Sequence, residues 1–196
     1  MVKKRDGGLR ADAERNRKRL LLMAERIFAE EGVGVPVDAI AKRAGMGVGT
    51  VYRHFPTKQS LFEAIVVARI MHMTERAREL ADARDPGAAF FEFLGTMVEH
   101  GMKKKDFIDA LRAGGVDVRA AATAAKAHLT EAWQLLLARA QMAGAVRDDI
   151  GLREVGALVM GAYASLEQIG ADRECRARVF AVLCDGLRPR RRRKAG

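Results

Sequence analysis

The segment Val35–Lys58, VPVDAIAKRAGMGVGTVYRHFPTK, leaves the backbone few choices. Pro36 suits a first helical turn, where no backbone donor is needed. Val37, Ile40, Ala41 and Ala44 follow at helical spacing and give that helix one apolar face. Gly45 ends it, in the left-handed conformation that glycine adopts without a Cβ penalty. A second short helix is predicted over residues 48–54, and Pro56 forbids its continuation. Thr57 is placed to cap the next helix, with Lys58 in its first turn. Helix, glycine turn, helix and proline stop in this order form a helix-turn-helix, and the partner such a motif implies is duplex DNA.

The small residues sharpen that expectation. Gly47 and Gly49 leave the start of the second helix nearly bare, so its backbone amides can approach a phosphate closely. Thr50, Tyr52 and His54 add short neutral donors suited to phosphate oxygens. Arg53 is the one long cation on this helix and can reach a base edge or the backbone.

The run GMGVGTVYRHFPTKQSLFEAIV resembles the DNA-binding signature of the tetracycline-repressor (TetR) family of bacterial transcription regulators. The likeness covers residues 15–65. It rests on the order Gly-Thr, a hydrophobic residue, Tyr-Arg-His-Phe, then Pro-x-Lys and a nearby leucine. The resemblance implies that the second motif helix enters the major groove. It implies that Gly49, Thr50, Tyr52, His54 and Lys58 contact DNA, mostly at phosphates, while Val51 and Phe55 pack inward. The chain departs from the family where Pro36 replaces a frequent threonine, and where Gly47 and Val48 replace a frequent serine and lysine. Few groups remain to read a base edge. Direct readout then falls to Arg53, Arg43 and a thymine-methyl contact from Val48.

Charge distribution points the same way. The formal net charge of +10 is not spread over the surface: residues 1–58 carry +6, residues 59–187 carry −2 and residues 188–196 carry +6. A basic patch confined to one end is the footprint of a polyanion binder. Four prolines in 196 residues, with abundant alanine, leucine, arginine and glutamate, argue for an all-α protein. Cys175 and Cys184 are nine residues apart, a spacing that fits neither a redox pair nor a zinc site, and they read as small core residues. No leader segment and no apolar run of membrane-spanning length is recognisable, so a soluble cytoplasmic protein without a membrane partner is expected.

Along the chain, residues 1–10 read as a disordered basic arm in which Arg5 and Arg10 either follow the minor groove or are merely solvated. Residues 11–57 form the helix-turn-helix domain, beginning with a helix over 11–31. Its apolar face is Leu20, Met23, Ala24, Ile27 and Phe28. Arg15, Arg17, Lys18 and Arg19 on that helix either flank a phosphate backbone or form a solvated face. Residues 58–188 read as a helical ligand-binding and dimerisation body. A long helix from Thr57 to about Arg84 opens it, and Asp85-Pro86-Gly87 breaks the chain. Further helices are expected over 88–101, 107–113, 118–143, 152–169 and 173–187, with Lys103-Lys104-Lys105 as a polar connector. Residues 189–196 read as a disordered basic tail that either adds non-specific DNA affinity or does nothing.

The body collects aromatic and methionine side chains. Phe90, Phe93, Met97, Met102, Phe107, Trp133, Met160 and Tyr163 are the candidates for lining a small-molecule site, with His100, His128 and Gln168 as further polar handles. The same pattern at helical spacing is more usually that of a core. The small residues Gly156, Ala157, Gly161, Ala162, Ala164 and Ser165, with Val179, Val182 and Leu183 on the next helix, allow close helix approach. They suggest a two-fold four-helix bundle through residues 152–187. The resemblance implies the same homodimer and a ligand-binding body.

The reading is therefore a homodimeric DNA-binding regulator of a pseudo-palindromic operator, most simply a repressor released by a small-molecule effector. A non-specific or architectural DNA-binding protein is the alternative. A helical enzyme is a weaker one, because no catalytic constellation, metal-ligand set or cofactor loop is recognisable in the sequence.

Overall fold

The computed structural model describes the backbone of residues 6–113, 118–170 and 172–189, and the side chains of these except 6–13, 29, 100–110, 112 and 113. Among the described residues there are eight helices and no strand: α1 (Asp6–Glu31), α2 (Val37–Arg43), α3 (Val48–His54), α4 (Lys58–Ala81), α5 (Pro86–Ala113), α6 (Arg119–Met142), α7 (Leu152–Ile169) and α8 (Arg173–Leu187). The all-α expectation holds.

Three features depart most from the sequence reading, and α4 ends at Ala81 rather than near Arg84. α1 starts at Asp6, so residues 6–10, expected as part of a disordered arm, are helical. An acidic residue in the first turn suits the positive end of a helix, which offsets the glycines that follow it. Pro36 is the N-cap of α2, with φ −65° and ψ 145°, rather than a residue of its first turn. Its carbonyl starts the ladder by accepting from the amides of Ala39 and Ile40 at 3.1 and 3.3 Å. The lysine connector does not exist: α5 runs unbroken from Pro86 to Ala113. Lysine and aspartate are compatible with a helix interior, and no proline or turn pair interrupts residues 102–106.

The other signals act as expected. Gly45 takes φ +66° and closes α2 in a Schellman motif, donating to the Lys42 carbonyl while Met46 donates to that of Ala41. Thr57 caps α4: its Oγ1 accepts from the Ser60 amide at 3.0 Å, and Ser60 Oγ accepts from the Thr57 amide at 3.2 Å. The Asp85 carboxylate caps α5 through the Ala88 amide at 2.9 Å, with Pro86 as the first helical residue.

The chain forms two compact units, Met1–Ile70 with Asp106–Ala125, and Met71–Lys105 with Lys126–Gly196. In the first, α1 packs on α2 and α2 on α3. Leu20, Ala24, Ile27 and Phe28 of α1 are buried, as are Ile40, Val51, Leu61, Phe62 and Ile65 of the helices that follow. The Phe28 and Phe62 rings lie 4.7 Å apart, tilted by 44°. In the second unit, Phe90, Phe93 and Leu94 of α5 pack with Leu136 and Leu137 of α6, Val155 and Val159 of α7, and Leu187 of α8. Cys184 is buried there, and desolvation raises its thiol pKa, as a core cysteine's should be.

α7 packs along α8. The predicted stripe divides between two faces: Ala162 is buried and Val179 and Leu183 lean on the core, whereas Ala157, Gly161, Ala164, Ser165 and Val182 are exposed. Beside them Leu158 and Met160, which were not part of the stripe, are 45 and 57 % exposed.

Gly87 is where this second unit has no room to spare. A Cβ there would stand 2.6 Å from the Ala145 Cβ. Gly87→Ala should lower stability by about 1–2 kcal/mol, since overpacking outweighs the usual gain from replacing a helical glycine. Urea denaturation checks it, and an unchanged midpoint would mean the 144–149 turn moves aside freely.

Candidate nucleic-acid interface

α3 is short, and its orientation is fixed by what it buries. Val51 is fully buried, and Phe55, which follows the helix, is 3 % exposed. The Phe55 amide closes the last turn on the Val51 carbonyl at 2.8 Å. With these two pointing inward, helical geometry turns Val48, Gly49, Tyr52 and Arg53 outward. Val48 and Tyr52 are 38 and 43 % exposed, Gly47, Gly49, Arg53 and His54 are exposed, and Thr50 is half-buried. Val48 and Tyr52 are thus large side chains left open to solvent on a seven-residue helix.

The glycines at the start of α3 are not required by packing. Gly47 caps the helix in an extended conformation, φ −65° and ψ 134°, open to any residue. A Cβ at Gly49 would meet nothing within 4 Å, and one at Gly47 would meet only Thr50 Oγ1 at 3.7 Å. Alanine would raise helix propensity at Gly49 by roughly 1 kcal/mol. Packing within the unit therefore does not explain glycine at this position.

The basic residues around α3 fall into distinct groups. Lys58 holds its ammonium 5.9 Å from the centroids of both Phe28 and Phe62, at the rim of the core. The Arg17 guanidinium lies over the Phe55 ring at 5.4 Å, and Arg19 donates to the Ala44 carbonyl at 2.6 Å. Two arginines of the predicted α1 cluster thus fasten α1 to the ends of α2 and α3, while Lys18 is exposed. Arg5 lies outside the described residues, as does the side chain of Arg10.

Two further groups were not foreseen in the sequence. Arg43 pairs with Glu31 through both guanidinium nitrogens, Nη1 to Oε1 and Nη2 to Oε2, the latter at 3.0 Å. The hydrogen bond from Arg43 is the main reason the Glu31 carboxyl titrates below its usual range. The Tyr52 hydroxyl is raised above its ordinary pKa, first by the charge of Asp38, then by desolvation and by its hydrogen bond to that carboxylate. Glu31 and Arg43 are twelve positions apart across a turn, and Asp38 and Tyr52 lie on different helices. Neither pair leaves a periodic trace in the sequence.

The body candidates do not all converge. Phe90, Phe93 and Trp133 sit in one buried cluster, with Met97 and Tyr163 packed against it. Phe93 meets Trp133 edge-on, centroids 6.0 Å apart. The Trp133 Nε1 is buried with no hydrogen-bond partner among the described residues. Met160 is 57 % exposed and stands apart from this cluster. The side chains of Met102, Phe107 and His100 lie outside the described residues. His128 and Gln168 are exposed. Among the described residues, no three histidine, cysteine or carboxylate groups could share a metal, and no helix is long and apolar enough to cross a membrane.

Comparison with known proteins bears on both units. Residues 20–65 match the family of bacterial regulatory proteins, tetR family. Residues 85–189 match the C-terminal domain family described as transcriptional regulator SbtR-like. Among characterised sequences, a helix-turn-helix-type transcriptional regulator of Staphylococcus aureus is 46 % identical over 54 residues, 27 % of this chain and 29 % of that protein. The match thus spans under a third of that relative's length. Among solved structures, a TetR transcription regulatory protein of Mycobacterium vanbaalenii is 43 % identical, with a TM-score of 0.77 over 92 % of this chain and 99 % of that one. A TetR transcriptional regulator of Streptomyces coelicolor is 29 % identical, with a TM-score of 0.73 over 89 % and 99 %.

Proposed function

We propose, starting from the fact that the chain belongs to the TetR family of bacterial DNA-binding transcription regulators, that it acts as a homodimeric repressor of a pseudo-palindromic operator and is released by a small-molecule effector. The fold and family are those of transcription regulators rather than enzymes. The observation that carries the DNA reading at residue level is the outward face of α3. Val48, Gly49, Tyr52 and Arg53 are presented by a helix whose only buried residue is Val51. Thr50, Tyr52, His54, Lys58 and the free amides at the start of α3 hold phosphates, while Arg53 and Val48 meet base edges. Arg43, at the end of α2, reaches the phosphate backbone beside them.

Dimerisation through α7 and α8 is supported by apolar side chains left in water. Leu158, Met160 and Val182 are exposed, and neither Gly156 nor Gly161 has a neighbour within 4 Å of where its Cβ would be. A second copy would cover them, and two heads would then meet major grooves about one helical turn apart. In the body, an effector bound near the Phe93–Trp133 cluster would favour a dimer with its heads wrongly spaced. Its effect is bounded by its differential affinity for the two forms. The regulator works in the cytoplasm, where its operator is.

Selection from random duplex DNA at physiological salt tests this. An enriched inverted repeat with half-sites about 10 base pairs apart is expected. Salt-sensitive binding without enrichment would make the head a non-specific clamp.

A further inference from the structure

Arg43, assigned above to the DNA face, already holds a carboxylate of its own unit. Glu31 is the last residue of α1, beside Glu30, at the helix end where the macrodipole favours a cation. Helix stability therefore gives no reason for an acid at this position. What compensates it is Arg43, which grips both carboxylate oxygens. Arg43 accordingly titrates above its usual value, first through its hydrogen bond with Glu31, with Glu30 adding a smaller effect.

A guanidinium that holds a carboxylate with two nitrogens shows it the same fork it would show a phosphate. The two side chains are 46 and 41 % exposed, and an ion pair so open to water is weak enough for a phosphate to displace. Displacement leaves the Glu31 charge close to the incoming phosphate.

We propose that Glu31 is a specificity-determining residue of the DNA face: its carboxylate occupies Arg43 in the free protein, so a phosphate gains Arg43 only by displacing a like-charged competitor. The inference rests on the reading of α2 and α3 as the DNA face. Non-specific complexes sample many registers and settle wherever a freed arginine finds a phosphate. The operator complex has one register, set by α3. Removing the competitor therefore strengthens non-specific binding more than operator binding, and Glu31 holds the ratio between them.

The test uses the full chain as wild type, Glu31→Gln, Arg43→Gln and the double variant, on random-sequence duplex and on the selected operator. Glu31→Gln should bind random duplex about fivefold more tightly at ~50 mM salt, with a salt slope steeper by about one, so that most of the gain is gone at ~200 mM. The operator-to-random ratio should fall, and the gain should vanish in the Arg43→Gln background. An unchanged slope, or a gain that survives without Arg43, overturns the proposal. A fold defect would leave the melting curve altered but cannot steepen a salt slope. Should Glu31→Gln fold poorly, Glu31→Asp, which withdraws the carboxylate by one methylene, should move the slope in the same direction, and no movement there overturns the proposal equally. Wild-type protein that binds no duplex at any salt would strike instead at the DNA-binding reading itself.

Discussion

Gly49→Glu is expected to leave the fold as stable as it is or more so, while lowering operator affinity at least about a hundredfold, or ~2.7 kcal/mol. Both halves follow from one position. The residue is the second of α3, its Cβ direction is empty to 4 Å, and its φ is not in the left-handed region. Replacing glycine adds up to ~1 kcal/mol of helix propensity, and an acid in the first turn adds roughly 0.3–1 kcal/mol through the helix dipole. The same side chain sets a negative charge where the amides of α3 are to meet a phosphate. Gly49→Ala should follow the same pattern at smaller size. Thermal denaturation and operator titration of the variants measure the two halves separately. Equal operator binding by Gly49→Glu and wild type would place the start of α3 away from DNA.

Phe93→Ala should cost about 3–5 kcal/mol of stability, a large share of what a domain possesses. Phe93 is fully buried, and it meets Trp133 edge-on within a cluster to which α5, α6, α7 and α8 all contribute. Truncation removes the ring's transfer energy and leaves a void that rigid helices close only in part. The magnitude also separates the two readings of the aromatic cluster. Packed as core, the ring has neighbours on every side and the full cost appears. Lining an effector cavity, it already lacks contacts on one side and the loss should fall to ~1–2 kcal/mol. Urea midpoints followed by circular dichroism decide between them.

What the sequence made legible is what depends on one residue's own backbone chemistry. Gly45 could be placed at the end of α2 because only its positive φ closes that turn cheaply. Thr57 could be placed at the head of α4 because Pro56 stops the helix before it and a threonine hydroxyl suits an N-cap. Val51 and Phe55 could be turned inward from the likeness to TetR regulators, and the structure buries both. What remained hidden depends on contacts between side chains distant in sequence. Glu31 with Arg43, and Asp38 with Tyr52, exist only once α1, α2 and α3 are docked. Met160 could not be separated from Phe90 and Phe93 by composition, since an exposed methionine on an amphipathic helix reads like a buried one until the helix's rotation is known. The unbroken α5 was obscured by its lysines, which mark solvent on one side of a helix as readily as they mark a loop.

Trp133 is the chain's one tryptophan, and it lies in the second compact unit with its indole nitrogen unpartnered among apolar neighbours. Its light therefore comes from the body alone. Emission from an indole so shielded is blue-shifted and moves to the red when water reaches the ring, whatever the α1–α3 head is doing. An optical signal confined to one unit lets the body's opening, or its response to a small molecule, be followed while the head is held on DNA, with no label added to either.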